Sequence, residues 1–223
     1  MAEYRQTIYR PPAGAADLLL VRHGESAPAI PGQSFPLKDG HGDPALYGNG
    51  PAQAEAVGRR LSGAAIKAIY VTKLRRTHET SAPLARILRR DPVEDPDLHE
   101  VHLGDWDGGL YRQKAAERDP VYLEMLEKQD WGVIPGAEPR AAFNERIKRG
   151  LSRIAAAHTD ERVAVVVHGG VIAAALSMAA GSAPFAFQGA ANGSISRLVV
   201  RGDSWQIRAF NDTAHLSGMG GDF

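Results

Sequence analysis

The spacing of hydrophobic and polar positions changes several times along the chain, and each change marks an element. Residues 17–21 (Asp17-Leu18-Leu19-Leu20-Val21) form an apolar run bounded upstream by small residues, and residues 163–167 (Val163-Ala164-Val165-Val166-Val167) form a second. Neither run alternates, and short continuous apolar runs suit strands buried on both faces of a parallel sheet. Between them the period becomes helical. Residues 51–61 place a proline in the first turn and Ala54, Val57 and Leu61 on one face. Residues 68–71 predict a short strand, and residues 75–89 a helix with Leu84, Ile87 and Leu88 as its apolar side. A proline-containing turn over 91–96 leads into an extended segment over 97–101. Residues 111–128 predict a helix interrupted at Asp119-Pro120, because the residue before proline avoids the helical region. Residues 139–157 predict an amphipathic helix carrying Phe143, Ile147, Leu151 and Ile154, and residues 170–180 a small apolar one. Strands over 195–200 and 205–210 close the pattern; Arg201-Gly202-Asp203 between them reads as a hairpin turn.

This order of elements predicts an α/β fold, a three-layer α/β/α sandwich on a mostly parallel sheet, within a single domain over residues 1–223. Residues 1–16 read as a loose arm. Residues 27–49 are rich in proline and glycine and lack periodicity, and loops of that length tend to be functional. Residues 212–223 read as a C-terminal tail; its glycine-rich end from His215 to Phe223 is either a tail or a lid.

Charge narrows the function classes. Lys+Arg and Asp+Glu both number 26, so no bulk field points to nucleic acid or an anionic membrane. The chain has no cysteine, which excludes disulfides, thiolate chemistry and a cysteine zinc site. The N-terminal residues have no signal-peptide-like apolar core, and no apolar stretch approaches the ~20 residues that span a bilayer. A cytoplasmic, soluble protein is the expectation, and a homodimer is left open.

Both buried-strand runs end in histidine and glycine: Arg22-His23-Gly24-Glu25 after the first, His168-Gly169-Gly170 after the second. Ligands in open α/β sheets bind at such carboxyl ends. Two further clusters join them, Leu74-Arg75-Arg76-Thr77-His78-Glu79-Thr80 and Leu98-His99-Glu100-Val101-His102-Leu103-Gly104-Asp105-Trp106-Asp107-Gly108. Each alone is ordinary: a capping histidine, a solvated arginine pair, a surface carboxylate. Together they supply what phosphoryl transfer needs. Arginines and a second histidine match the charge on the equatorial oxygens. A neutral imidazole is a competent nucleophile, and a carboxylic acid can protonate the leaving oxygen. A metal site from Asp39, His41, Asp43, His99 and His102 has no known ligand spacing.

As an ordered set from Leu18 to Leu198, these motifs resemble the histidine phosphatase superfamily, which includes cofactor-dependent phosphoglycerate mutases and many phosphomonoesterases. The resemblance also covers Gly50-x-x-Gln53-Ala54 and Asn192-Gly193-Ser194. It implies a phosphoglycerate mutase-like fold, His23 as nucleophile, Arg22, Arg76 and His168 as the phosphate pocket, and Glu100 as proton donor. Arg76 is preferred to Arg75 because the family arginine lies two residues after the leucine and four before the threonine. Ser26 and Asn192 become candidates for substrate contact, and no metal or cofactor is implied. Mutases of the family carry a nearby asparagine and tryptophan where Ala27-Pro28-Ala29-Ile30 stands here, and Glu-Arg-His-Tyr-Gly where this chain has Glu100-Val101-His102-Leu103-Gly104. The resemblance therefore implies a metal-independent phosphomonoesterase that acts on a small phosphorylated substrate through a phosphohistidine. A mutase-like isomerase and a non-catalytic phospho-ligand module are the alternatives.

Overall fold

The computed structural model describes residues 3–218. In chain order the elements are β1 (Ala16–Arg22), β2 (Leu37–Lys38), β3 (His41–Gly42), α1 (Gly50–Leu61), β4 (Ile66–Val71), α2 (Arg75–Leu88), β5 (Val93–Glu94), α3 (Leu110–Glu117), α4 (Pro120–Lys128), α5 (Arg140–Ala157), β6 (Arg162–Val167), α6 (Gly169–Ala180), β7 (Ile195–Arg201) and β8 (Ser204–Asp212). Six strands form one sheet in the order β5-β4-β6-β1-β7-β8. β5, β4, β6 and β1 run parallel, and β7 and β8 add an antiparallel hairpin at the far side.

The alternation of side chains along a strand sorts the core into two layers. Leu18 and Leu20 of β1 and Val163, Val165 and Val167 of β6 face α5 and α6, against Phe143, Ile147, Leu151, Ile154, Val171 and Ile172. Leu19, Val21, Ala164 and Val166 face the other way, against Val57 and Leu61 of α1 and Leu84 of α2. The two apolar runs are thus buried on both faces, and the three-layer α/β reading holds. A smaller cluster of Trp106, Met125 and Ile134, with Tyr111 and Trp131 packed on it, seats α3 and α4 beside the sheet.

The expected elements appear with ends moved by a residue or two, and the helix over 111–128 is indeed broken, with Asp119 capping α4 through Val121 N (2.9 Å). Three segments differ. The 91–96 turn contains β5, a two-residue edge strand paired with Tyr70 and Val71. Extended 97–101 instead begins within a 3₁₀ turn, Pro96–Leu98, capped by Asp95. The 27–49 segment is not structureless: β2 and β3 form a small ribbon, and Ser26 bridges Leu46. Arg201–Asp203 is the hairpin turn between β7 and β8. His215 lies in a 3₁₀ turn and bonds Gly193 O (3.0 Å), while 219–223 lie outside the described residues. Among the described residues no helix is long and apolar enough to cross a membrane.

Candidate active site

Register brings the two histidines together. β1 and β6 are parallel neighbours with Arg22 opposite Val167, so the next residue on each strand, His23 and His168, leaves the sheet at the same rung. His23 N donates to Val167 O (3.0 Å), and the two rings meet edge-on with centroids 5.3 Å apart. The glycine after His23 is required by packing. A Cβ on Gly24 would lie 2.7 Å from Gly50 O, where the end of β1 meets the start of α1.

The surroundings of His23 fix its protonation. Its Nδ1–H donates to Gly24 O (2.8 Å), which leaves the lone pair on Nε2. Arg76 Nε points at that Nε2 from 3.2 Å. Burial first, then the Arg76 and Arg22 charges, hold the His23 pKa well below its ordinary value of 6.5, so the ring is neutral at pH 7. Burial and Arg76 do the same to His168. The His168 Nε2 lies 3.0 Å from the Thr72 hydroxyl, and its buried Nδ1 has no protein partner.

Two arginines flank His23. Arg76 is brought down by burial to about 10, so it stays cationic, and its Nη1 donates to Gly42 O (2.8 Å). Arg22 is lowered mainly by burial; it donates through Nη1 to Ala190 O and keeps a buried Nε–H unpartnered. Glu100 shares a cavity of about 290 Å³ with Arg22, His23 and Arg76. Its carboxylate accepts from Val101 N (3.0 Å) and from Gly170 N in the first turn of α6 (3.2 Å). A helix N-terminus is where a carboxylate gains from the backbone dipole.

Ser26 and Asn192 line an adjoining cavity of about 610 Å³ together with Arg22 and His23. Ser26 Oγ accepts from Arg112 Nη2 (2.9 Å), and Asn192 Nδ2 donates to His23 O (2.9 Å). Both side chains are therefore engaged in holding the site. Arg75 points elsewhere, to Glu79 Oε1 (2.5 Å) on the exposed side of α2.

Sequence reasoning missed Arg112, a third arginine in both cavities, whose pKa burial lowers. It sits in a helix with no buried residue, so no periodicity marks it. Residues of the 27–49 loop line both cavities, and the loop is fastened rather than loose. Asp43 Oδ1 accepts from Arg75 N (2.7 Å) at the start of α2, and Leu46 N donates to Glu79 Oε2 (2.7 Å).

His41, His99 and His102 do come together, with ring centroids 5.8 Å and 5.2 Å from His41. Four of their six ring nitrogens meet other groups of the protein. His41 faces Asp39 O and Glu100 O, His99 Nε2 accepts from Lys73 N, and His102 Nδ1 accepts from Gly104 N. Among the described residues no group of histidines and carboxylates is arranged to hold a metal ion.

Residues 18–213 match the family model for the histidine phosphatase superfamily, branch 1. The chain belongs to that superfamily. It is 33% identical over 218 residues to phosphoglycerate mutase-like protein 4 of Arabidopsis thaliana, covering 93% of each chain. It is 31% identical to the metal-independent phosphoserine phosphatase of the same plant, over 92% of this chain and 84% of the relative. Among solved structures, a mycobacterial glucosyl-3-phosphoglycerate phosphatase superposes with a TM-score of 0.75 at 25% identity, over 89% of this chain and all of the other. A phosphoglycerate mutase from Bacillus anthracis reaches the same TM-score at 20% identity, over 93% of this chain and 97% of the other, a likeness of fold.

Proposed function

We propose that the chain is a metal-independent phosphomonoesterase that hydrolyses a small phosphorylated metabolite of the cytoplasm through a phosphohistidine on His23. The observation that carries this reading is the state of His23: a neutral ring, tied through Nδ1–H to Gly24 O, with its Nε2 lone pair facing Arg76. A substrate phosphoryl group takes the Arg76 Nε–H for itself and frees that lone pair. Arg22, Arg76 and His168 bind the equatorial oxygens, supplying the charge that a metal supplies elsewhere.

The chemistry balances in two steps. His23 Nε2 attacks phosphorus as the P–O bond to the leaving group breaks, and the Glu100 carboxylic acid gives its proton to the departing oxygen. The Glu100 carboxylate then takes a proton from water as that water attacks phosphorus. The P–N bond breaks, phosphate leaves, and Nε2 recovers its lone pair. Asn192 positions the nucleophile through its bond to His23 O, and Ser26 holds Arg112 over the larger cavity.

That cavity is the place for the leaving group. Arg112 beside Arg22 there suits a substrate with an anionic group beside the phosphoester, as phosphoserine has, and a metal-independent phosphoserine phosphatase is among the relatives. The mutase-like name of another relative favours a second reading, return of the phosphoryl group to substrate instead of water. A non-catalytic phospho-ligand module has no use for a held carboxyl group beside the nucleophile. Phosphate release from aryl phosphates and from phosphoserine in excess chelator, by wild type and His23→Ala, tests the proposal. Release by wild type alone supports it; isomerisation of 3-phosphoglycerate without phosphate release supports the mutase.

A further inference from the structure

Arg146 in α5 lies outside both site cavities, yet three N–H groups of its guanidinium are directed at the segment that delivers Glu100. Nη1 donates to Asp97 O (2.8 Å) and His99 O (2.7 Å), and Nη2 donates to Glu100 O (2.9 Å). The remaining donors close a bidentate pair with Glu138, Nε to Oε1 and Nη2 to Oε2, both 2.7 Å. Glu138 in turn faces His102 N (3.4 Å), two residues past the acid, and its own N–H donates to His102 O (2.8 Å). The pair is largely shielded, with side-chain exposures of 15% and 17%, and the guanidinium lies over the Phe143 ring at 4.7 Å.

An arginine has five N–H groups in a rigid fork, and all five are used inside the protein. None is left for substrate. The segment they grip has no regular structure from His99 to Leu103, so its carbonyls have no ladder to satisfy them. Leu98 and Val101 anchor the segment in the core, while Arg146 holds its carbonyls at Asp97, His99 and Glu100, the last of which His41 Nε2 also faces (3.1 Å).

We propose that Arg146, oriented by Glu138, is the positioning residue of the general acid: it sets the Glu100 backbone so that the carboxyl group reaches the leaving oxygen. This inference rests on the reading of Glu100 as proton donor. Lysine cannot replace it, having three donors and no planar fork.

The test separates acid positioning from general damage through the leaving group. Phenyl phosphate expels a phenol of ordinary pKa about 10 and needs a proton, whereas 2,4-dinitrophenyl phosphate expels a stable anion. The readout is kcat/KM, which reports P–O cleavage and excludes hydrolysis of the phosphoenzyme. Glu100→Gln sets the scale, losing about 100-fold or more on phenyl phosphate and little on the dinitrophenyl ester. Arg146→Lys is expected to lose at least about 10-fold on phenyl phosphate while keeping dinitrophenyl turnover within about twofold, and Glu138→Gln to move the same way by a smaller factor. Retained dinitrophenyl turnover also reports an intact fold. An equal loss on both esters in Arg146→Lys and Glu138→Gln, or no loss in either, overturns the positioning role while leaving the acid in place. A Glu100→Gln enzyme with no leaving-group dependence removes the acid itself, and the proposal with it.

Discussion

Gly170 is the position where activity and stability part most sharply. It lies in the first turn of α6, and its N–H donates to Glu100 Oε2 at 3.2 Å. A Cβ built there would stand 2.4 Å from Glu100 Oε1, 3.3 Å from its Cδ and 3.6 Å from Oε2. Ordinary van der Waals contact begins near 3.4 Å, so Gly170→Ala must drive that oxygen away by about 1 Å. The displaced group is the end of a flexible side chain, so the fold absorbs the change cheaply. Alanine in a helix is favoured over glycine by about 0.5–1 kcal/mol. Under the proposed mechanism the acid is not so tolerant: a misplacement of about 1 Å costs on the order of 100-fold in rate. Gly170→Ala is therefore expected to keep or slightly raise its melting temperature while kcat/KM on phenyl phosphate falls about 100-fold. Gly169→Ala is the control, since the atom nearest to its Cβ, Arg22 Nε, stands at an ordinary contact distance of 3.4 Å. Thermal unfolding and phosphate release on the same preparations give both numbers. Full activity in Gly170→Ala, or equal losses in the two variants, would refute the placement of Glu100 as the acid.

Other consequences are as direct. His23 and His168 have pKa values held well below 6.5, and His99 is brought down to about 4, mainly by burial. Below pH 6.5 the unfolded chain takes up protons that the folded one refuses, so stability is full above that pH and falls with acidification, by up to about 1.4 kcal/mol per pH unit for each fully buried ring. Urea midpoints at pH 7 and pH 5 read this, and a flat profile would contradict neutral histidines. Ile147→Ala empties a fully buried position against β1 and β6 and is expected to cost about 2–5 kcal/mol in chemical denaturation. Asp43→Ala removes the outside cap of α2 and one fastening of the 27–49 loop, costing about 1 kcal/mol in stability. Arg112→Ala is expected to raise KM for phosphoserine more than for phosphoethanolamine, which lacks the carboxylate; equal changes would remove Arg112 from substrate recognition.

What the sequence disclosed and what it hid follow from range. Runs such as Leu18-Leu19-Leu20-Val21 and the spacing of Phe143, Ile147, Leu151 and Ile154 are local signals, and both core layers were legible from them. His23, Arg76 and His168 were legible because each sits at an element end, where a strand stops or a helix starts, whereas Glu100 lies in irregular chain and was legible only within the ordered set of motifs. β5 was not, because two exposed residues form a strand only through the partner beside them. The ribbon over 37–42 likewise depends on contacts with Arg76 and Asp107 far along the chain. Nothing local in the sequence separates Arg112 and Arg146 from ordinary helical surface charge. Only the fold reveals that one turns into the cavity and the other grips the carbonyls before Glu100. Asp17, read as part of an apolar strand, is buried because Arg162 and Arg197 on the neighbouring strands both close on it (2.7 Å each).

The central claim is the covalent intermediate on His23. Glu100→Gln slows activation of water in the second step more than departure of dinitrophenolate in the first, so the phosphoenzyme accumulates. The decisive measurement is to mix this variant with 2,4-dinitrophenyl phosphate, quench in alkali where phosphohistidine survives, and map the phosphoryl group by tandem mass spectrometry. One phosphoryl group per chain is expected, on the His23 ring, and none in the His23→Ala, Glu100→Gln double variant. A phosphoryl group on another residue, or steady phosphate release from His23→Ala, would contradict that claim.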